Sequence, residues 1–205
     1  MKILAVDTAT YCGGIAVIDE QYLVASMILN VPGTHSRRLM KNIDFLLKEC
    51  RLSVHDISGI GVSMGPGSFT GVRIGMACAK GLSFSTGKPL LGISTLKALA
   101  LHCAEPGILL CPVMDARRSE IFGAAYRLDP ATGELHEIIP GRAQPLDKFL
   151  ENIKEPALFC GDGSVKFADN IKETLKEKAF FASLNRNLPS AVEVAMLALQ
   201  RLKKG

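Results

Sequence analysis

The sequence has no tryptophan, and aromatic residues make up only 6% of it. A hydrophobic fraction of 48% over 205 residues still supplies enough apolar side chains for a substantial core, so we expect that core to be mainly aliphatic. No apolar run reaches the roughly 20 residues that a membrane-spanning helix needs. The composition therefore predicts a globular protein with no membrane segment.

The sequence also lacks cysteine and histidine pairs at the spacing of metal ligands. The six cysteines are scattered, without a Cys-x-x-Cys or Cys-x-x-His pair, and no histidine has another His or a Cys at helical ligand spacing. We expect reduced, buried thiols and no metal site. Because Met1 and Lys2 lead directly into an apolar strand, we also expect no signal peptide and a cytoplasmic location.

The net charge of +4 is mild, and it allows weak attraction to RNA or acidic partners without establishing it. The one basic cluster, Arg201 with Lys203 and Lys204, is typical of a helix end that complements its dipole. Charge alone therefore does not predict nucleic-acid binding.

The order of predicted elements repeats. Each half of the chain reads strand, strand, strand, helix, strand, helix (βββαβα), and each half opens on an apolar strand that ends in an aspartate, Asp7 or Asp115. The best break is Glu105-Pro106-Gly107, which predicts domains at residues 1–105 and 106–205. Such a repeat predicts an α/β protein of two similar lobes that face a cleft.

A glycine-rich stretch at residues 63–87 joins a buried strand to a helix that is apolar on nearly every side. Ser68 or Thr70 can cap this helix. Gly71, Gly75 and Ala79 lie four residues apart and form a ridge without large side chains, along which another backbone could approach closely.

Two interpretations of this stretch remain open. It is either a core helix entered through a glycine turn, or a functional element whose turn binds an anion and whose helix packs against another subunit. It is not a P-loop, because Thr70, Gly71 and Val72 stand where that motif needs Gly-Lys-Ser/Thr. Ser68 also lacks the Gly-x-Ser-x-Gly setting of a hydrolase nucleophile.

Asp7 and Asp115 are candidate nucleotide-site carboxylates, since aspartates after the first strand of each half could hold magnesium through water beside phosphates. The alternative is that each carboxylate caps its own turn. Gly161-Asp162-Gly163 could meet a nucleobase or ribose, but it is equally an ordinary turn between a strand and a helix.

Five segments together resemble the TsaB (YeaZ) family of bacterial tRNA threonylcarbamoyladenosine biosynthesis proteins. They are residues 3–10 (ILAVDTAT), 34–36 (THS), 65–75 (GPGSFTGVRIG), 92–96 (GISTL) and 115–117 (DAR). The resemblance follows the order of the whole chain and is strongest over residues 1–126.

The resemblance implies the two-lobed fold of actin, sugar kinases and Hsp70 ATPases (ASKHA). It also implies a role in placing a threonylcarbamoyl group on the adenosine next to the anticodon of tRNA. Transfer itself is implied for a paralogue, TsaD, so this chain would be a non-catalytic partner without catalytic residues of its own. An alternative is an ATP-binding phosphotransferase or ATPase of the actin-like fold.

The family's partners imply further expectations: a TsaD-type paralogue, a TsaE-type ATPase, a homodimer when alone, and only indirect contact with tRNA. No cofactor is firmly implied, although ATP or ADP with magnesium is possible at the level of the complex. The expected nucleotide-binding residues are Asp7, Thr8, Asp115, Gly161, Asp162 and Gly163. The first two long helices would form the subunit interface, through His35, Leu39, Ile43, Leu46, Gly71, Val72, Gly75, Met76 and Ala79.

Overall fold

The computed structural model describes residues 1–30 and 35–205, with the side chains from residue 37 onward in the second range. Its strands are β1 (Ile3–Asp7), β2 (Gly13–Ile18), β3 (Leu23–Leu29), β4 (Gly59–Ser63), β5 (Leu90–Ile93), β6 (Leu109–Arg117), β7 (Glu120–Leu128), β8 (Leu135–Pro145), β9 (Ala157–Cys160) and β10 (Ala179–Phe181). Its helices are α1 (His35–Glu49), α2 (Phe69–Thr86), α3 (Thr95–His102), α4 (Leu146–Leu150), α5 (Asp162–Lys166), α6 (Ala168–Leu175) and α7 (Ala191–Lys204).

The two sheets have the same topology. The first has the strand order β3-β2-β1-β4-β5, and the second has the order β8-β7-β6-β9-β10. In each, the first three strands are antiparallel and the last two are parallel to the central strand. This duplication confirms the predicted α/β repeat and adds a fifth strand to the βββαβα unit. The sequence predicts β5 but not β10, because three residues are too few to show an alternating pattern.

The chain divides into two units, one of Met1–Ala98 with Pro189–Gly205 and the other of Leu99–Leu188. This division differs from the predicted boundaries of 1–105 and 106–205 mainly at the C-terminus. Helix α7 follows the second half in sequence but packs against β1, β2 and β4 of the first sheet. Sequence order therefore does not show which sheet the last helix covers.

Glycine and alanine allow α7 to lie close to the first sheet. A Cβ at Gly61 of β4 would lie 2.9 Å from the Cβ of Ala198. Ser190 caps the helix by accepting a hydrogen bond from Val192 N at 3.2 Å. At the other end, Arg201 donates to the main-chain oxygen of Gly92 at 3.0 Å.

Two aliphatic cores stabilise the units separately. The first joins β1, β2 and β4 to the inner faces of α1 and α2, and the second joins β6, β7 and β9 to α4 and α6. In the second unit, the sequence predicts a single helix that Ser164 caps and that runs to about Glu177, and this prediction is wrong. Phe167 leaves the helical backbone (φ −106°, ψ 21°) and packs against the second core, which separates α5 from α6.

None of the helices within the described ranges is both long and apolar enough to cross a bilayer.

Candidate functional site

The N-terminus of α2 is closed by the protein's own acceptors. Ser68 Oγ accepts a hydrogen bond from Gly71 N at 3.2 Å, and Ser68 O accepts one from Val72 N at 2.8 Å. Ser68 N itself donates to Ala9 O at 2.6 Å. Ser68 is therefore the cap, and these three amides are not offered to an anion.

The ridge of small residues on α2 faces inward. A Cβ at Gly71 would collide with the main-chain oxygen of Thr8, and a Cβ at Gly75 would collide with Thr8 Oγ1. Ala79 is completely buried in the first core. The backbone that approaches the ridge is thus the end of β1 in the same unit. The expectation that Gly71, Gly75 and Ala79 contact another subunit is wrong.

Three of the other six expected interface residues are also internal. Leu39, Ile43 and Leu46 are buried in the first core, because the inner face of α1 packs on the sheet. Val72 and Met76 are half-buried. The side chain of His35 lies outside the described part of the chain.

A different set of apolar side chains points outward from the same two helices. Phe69 and Phe84 on α2 are 75% and 93% exposed, and Met40 and Phe45 on α1 are about half exposed. Cys78 Sγ lies 3.1 Å from Met40 Sδ, so the two helices meet along this side. We call the surface formed by Met40, Phe45, Phe69, Ala77 and Phe84 the outer α1–α2 face.

This face is unusual for a surface that meets only water. Single exposed apolar residues are common in folded proteins, but several on two adjacent helices indicate an interaction site. The helices are held rigidly from behind, since their inner faces are buried in the core. The outer α1–α2 face can therefore present aromatic anchors to a partner at little entropic cost.

A polar cluster forms where β6 and β9 end in the second unit. Lys166 Nζ lies 2.7 Å from Asp115 Oδ2, and Asp162 Oδ1 accepts hydrogen bonds from Asp115 N at 3.2 Å and from Gly163 N at 2.9 Å. Four expected nucleotide-site residues, Asp115 and Gly161 to Gly163, are thus brought together.

The two glycines in this cluster are needed for close packing. Gly161 has φ 99°, and a Cβ there would collide with Val113 O. A Cβ at Gly163 would lie 2.9 Å from the carbonyl carbon of Met114. The turn after β9 consequently lies directly against β6, and Gly161 N donates to Asn187 Oδ1 at 3.1 Å.

The two carboxyl groups of the cluster have pKa values shifted in opposite directions. The hydrogen bond from Lys166 lowers the pKa of Asp115, with help from the amide of Arg117. Partial desolvation of the carboxyl raises the pKa of Asp162, although the residue is exposed, against the effect of its two backbone hydrogen bonds.

Asp7 and Asp115 make the same local contact. Asp7 Oδ1 accepts from Ala9 N at 2.8 Å, and Asp115 Oδ1 accepts from Arg117 N at 3.0 Å. Asp7 therefore caps its own turn, as the alternative interpretation expects. The contact of Asp115 lies instead within β6, where the pairing with β7 shifts register between Asp115 and Arg117. Asp7 and Thr8 are 1% exposed, and Thr8 Oγ1 donates to Gly71 O at 2.8 Å.

These contacts do not fit a magnesium–nucleotide site well. The Asp115 carboxylate is paired with a cation of its own chain, and the Thr8 hydroxyl donates to a main-chain oxygen. The amide of Gly161, which could meet a ligand, is bonded to Asn187. Hydrogen-bonding groups that are already satisfied gain little from a ligand.

Sequence comparison points to one family. A family model described as TsaD, tRNA N6-adenosine threonylcarbamoyltransferase, matches residues 31–204. The tRNA threonylcarbamoyladenosine biosynthesis protein TsaB of Bacillus subtilis is 34% identical over 204 residues, which cover 98% of this chain and 88% of that protein. The chain belongs to the TsaB (YeaZ) family.

Solved structures agree with this assignment. YeaZ from Pseudomonas aeruginosa aligns with a TM-score of 0.82 and 28% identity, over 100% of this chain and 93% of that one. The ROK hexokinase from Thermus thermophilus aligns over the full length of both chains with a TM-score of 0.57 at 13% identity, a likeness of fold alone. The ASKHA fold class predicted from the TsaB resemblance is thereby confirmed.

Two parts of these surfaces are not found by sequence reasoning. Lys166 has no motif, and it reaches Asp115 only because β6 and β9 are neighbours in the sheet. Phe69 and Phe84 could have been found, since helical spacing puts them on the same side of α2 as the cations Arg73 and Lys80.

Proposed function

We propose that this TsaB-family protein is a non-catalytic partner subunit in the synthesis of threonylcarbamoyladenosine in tRNA. It would bind and activate a TsaD-type paralogue, which performs the transfer. The observation that carries this proposal is the outer α1–α2 face, where Phe69 and Phe84 are exposed on a helix whose other side is fixed in the core. Such a surface has the rigid aromatic anchors that protein interfaces use.

The names of relatives support the same process. TsaB of Bacillus subtilis is named for tRNA threonylcarbamoyladenosine biosynthesis, and the matching family model is named for the transferase of that modification. A relationship between a partner subunit and its paralogous enzyme explains why one chain matches both names. A TsaE-type ATPase would join the pair, and contact with tRNA would be made through the complex.

The proposed role of the protein is to cover and position a partner helix pair. Burial of apolar surface on the outer α1–α2 face contributes about 25 cal/mol per Å² to association. Because the helices are already ordered, the complex forms with little backbone rearrangement in this subunit. The chain alone would use the same face for a homodimer.

The decisive experiment mixes the purified chain with the TsaD-type protein of its own organism and measures mass by light scattering. We expect a defined complex of the two proteins. Threonylcarbamoyladenosine in tRNA from cells depleted of this chain should fall, as measured by mass spectrometry of nucleosides. Failure to associate, together with unchanged tRNA modification, would exclude the proposed function.

A further inference from the structure

Positive charge predominates on the two helices that form the outer α1–α2 face. Six exposed cations lie on the two helices, and the only carboxylates on them are Asp44 and Glu49. Asp44 is already paired, since its Oδ2 lies 2.7 Å from Lys48 Nζ in the next turn. The cations are Arg37, Arg38, Lys41, Lys48, Arg73 and Lys80.

One of these cations lies directly beside an aromatic anchor. The guanidinium carbon of Arg73 lies 5.1 Å from the ring centroid of Phe69, a cation–π distance. Phe69 and Arg73 would therefore meet a partner as one unit, with the ring in the apolar contact and the charge at its edge.

We propose that this face selects a partner whose own apolar helical surface is bordered by carboxylates, and that it disfavours a second copy of this chain. The inference rests on the proposed function and specifies the chemistry of the partner. In a two-fold dimer the same patch meets itself, so the cations of α1 and α2 would lie opposite cations. An acidic border would instead pair with them, and such complementarity increases both specificity and association rate.

The inference predicts opposite salt dependences for two associations through the same surface. Salt screens exposed charges, with a Debye length of about 10 Å at 0.1 M and about 3 Å at 1 M. Raising the salt should weaken the complex with the TsaD-type protein, because it screens attraction. The same change should strengthen the homodimer, because it screens repulsion.

Analytical ultracentrifugation of both associations at roughly 50 mM and 500 mM NaCl tests this. We expect the Kd of the TsaD complex to rise by at least about tenfold and the Kd of the homodimer to fall. A complex with a Kd that does not change with salt, or a homodimer weakened by salt, would overturn the inference while leaving the proposed function standing. No complex at either concentration would overturn both.

Charge reversal provides the matched test. The double variant Arg73→Glu/Lys80→Glu should bind the TsaD-type protein at least about tenfold more weakly, and should pair with the unmodified chain more tightly than either pairs with itself. Lys148→Glu/Lys154→Glu makes the same change of charge on exposed residues of the second unit and should alter neither association. Equal effects of the two double variants would show that only net charge matters, which contradicts a selective face.

Folding of the charge variants is checked separately. Both replaced side chains of α2 are exposed, so the circular dichroism spectrum and Tm should be close to those of the unmodified chain. If the double variant unfolds, Lys80→Glu alone replaces it, because Arg73 then keeps its cation–π contact with Phe69. The Kd of this single variant for the TsaD-type protein is compared with that of the unmodified chain, at half the change in charge.

Discussion

Thr8 Oγ1 donates a hydrogen bond to the main-chain oxygen of Gly71 at 2.8 Å. The contact joins the end of β1 to the first turn of α2. It requires the two backbones to approach so closely that neither Gly71 nor Gly75 has room for a Cβ. The glycine ridge of α2 is therefore explained within one unit, and a partner is not needed to account for it.

Gly71→Ala should destabilise the protein by about 1–3 kcal/mol, because its Cβ would force the Thr8 main chain away from α2. Gly81→Ala, in the same helix, should stabilise it by about 0.5–1 kcal/mol, since a Cβ at the exposed Gly81 meets nothing within 4 Å. Urea denaturation followed by circular dichroism measures both. Equal effects of the two substitutions would contradict the close contact between β1 and α2.

Phe84→Ala and Phe69→Ala should leave the stability within about 0.5 kcal/mol, because both side chains are exposed. Together they should weaken binding of the TsaD-type protein by about 30-fold or more, as expected for aromatic anchors at an interface. The control is Leu184→Ala, which removes an 89% exposed apolar side chain from the second unit. Titration calorimetry gives the affinities, and an unchanged affinity of the double variant would remove the outer α1–α2 face from the interface.

Asp162→Asn should stabilise the protein at neutral pH. Partial desolvation raises the pKa of this carboxyl, so above that pKa folding disfavours its charged form, by an amount that the exposure of the residue keeps small. Asparagine removes the charge and keeps an oxygen that can accept from Asp115 N and Gly163 N. The Tm of Asp162→Asn, measured across the pH range, should exceed that of the unmodified chain at pH 7, and the difference should disappear in acid. The control is Asp169→Asn on the exposed side of α6, which should change the Tm little.

The ion pair between Lys166 and Asp115 should show the opposite pH dependence. The pKa of Asp115 is lowered in the folded state, so its contribution is present above the ordinary carboxyl pKa of about 3.9. That contribution is lost as the pH falls through the folded value. Lys166→Met should accordingly reduce the Tm at pH 7 and have a smaller effect in acid. A loss that grows in acid would contradict the pairing.

ATP with magnesium should give no measurable heat with the isolated chain up to about millimolar concentration, because the Asp115, Thr8 and Gly161 groups are bonded within the protein. Calorimetry of the chain alone and of its complex with the TsaD-type protein distinguishes a nucleotide site on this chain from a site that exists only in the complex. Micromolar binding by the chain alone would support the alternative ATPase interpretation instead.

Much of the fold could be predicted from the sequence. The apolar runs that lead up to Asp7 and Asp115 show the duplication, and Ser68 and Ser190 mark the starts of α2 and α7. These signals are local, and local signals are read directly from residue type and spacing. The position of α7 on the first sheet is not local, so neither its composition nor its neighbours in sequence indicates it.

For the candidate surfaces too, the sequence does not show which elements pack together. The sequence indicates that α2 is too apolar to be a simple surface helix, but the small-residue side that it assigns to a partner is buried within the unit. Gly75 and Ala79 suit close packing of any two backbones, and only the structure shows that the second backbone is β1. Residue type sets how closely two elements can approach, whereas topology decides which two elements they are.

Because α7 covers the first sheet, the first unit is discontinuous in the chain and the second is inserted within it. A ribosome would synthesise all of Leu99–Leu188 before it reaches the helix that packs on β1 and β4. The second unit is thus made in full before the first unit is complete. Until Ala191–Lys204 emerges, one side of the first sheet stays open, and a chaperone that acts on this protein during translation would be expected to bind there.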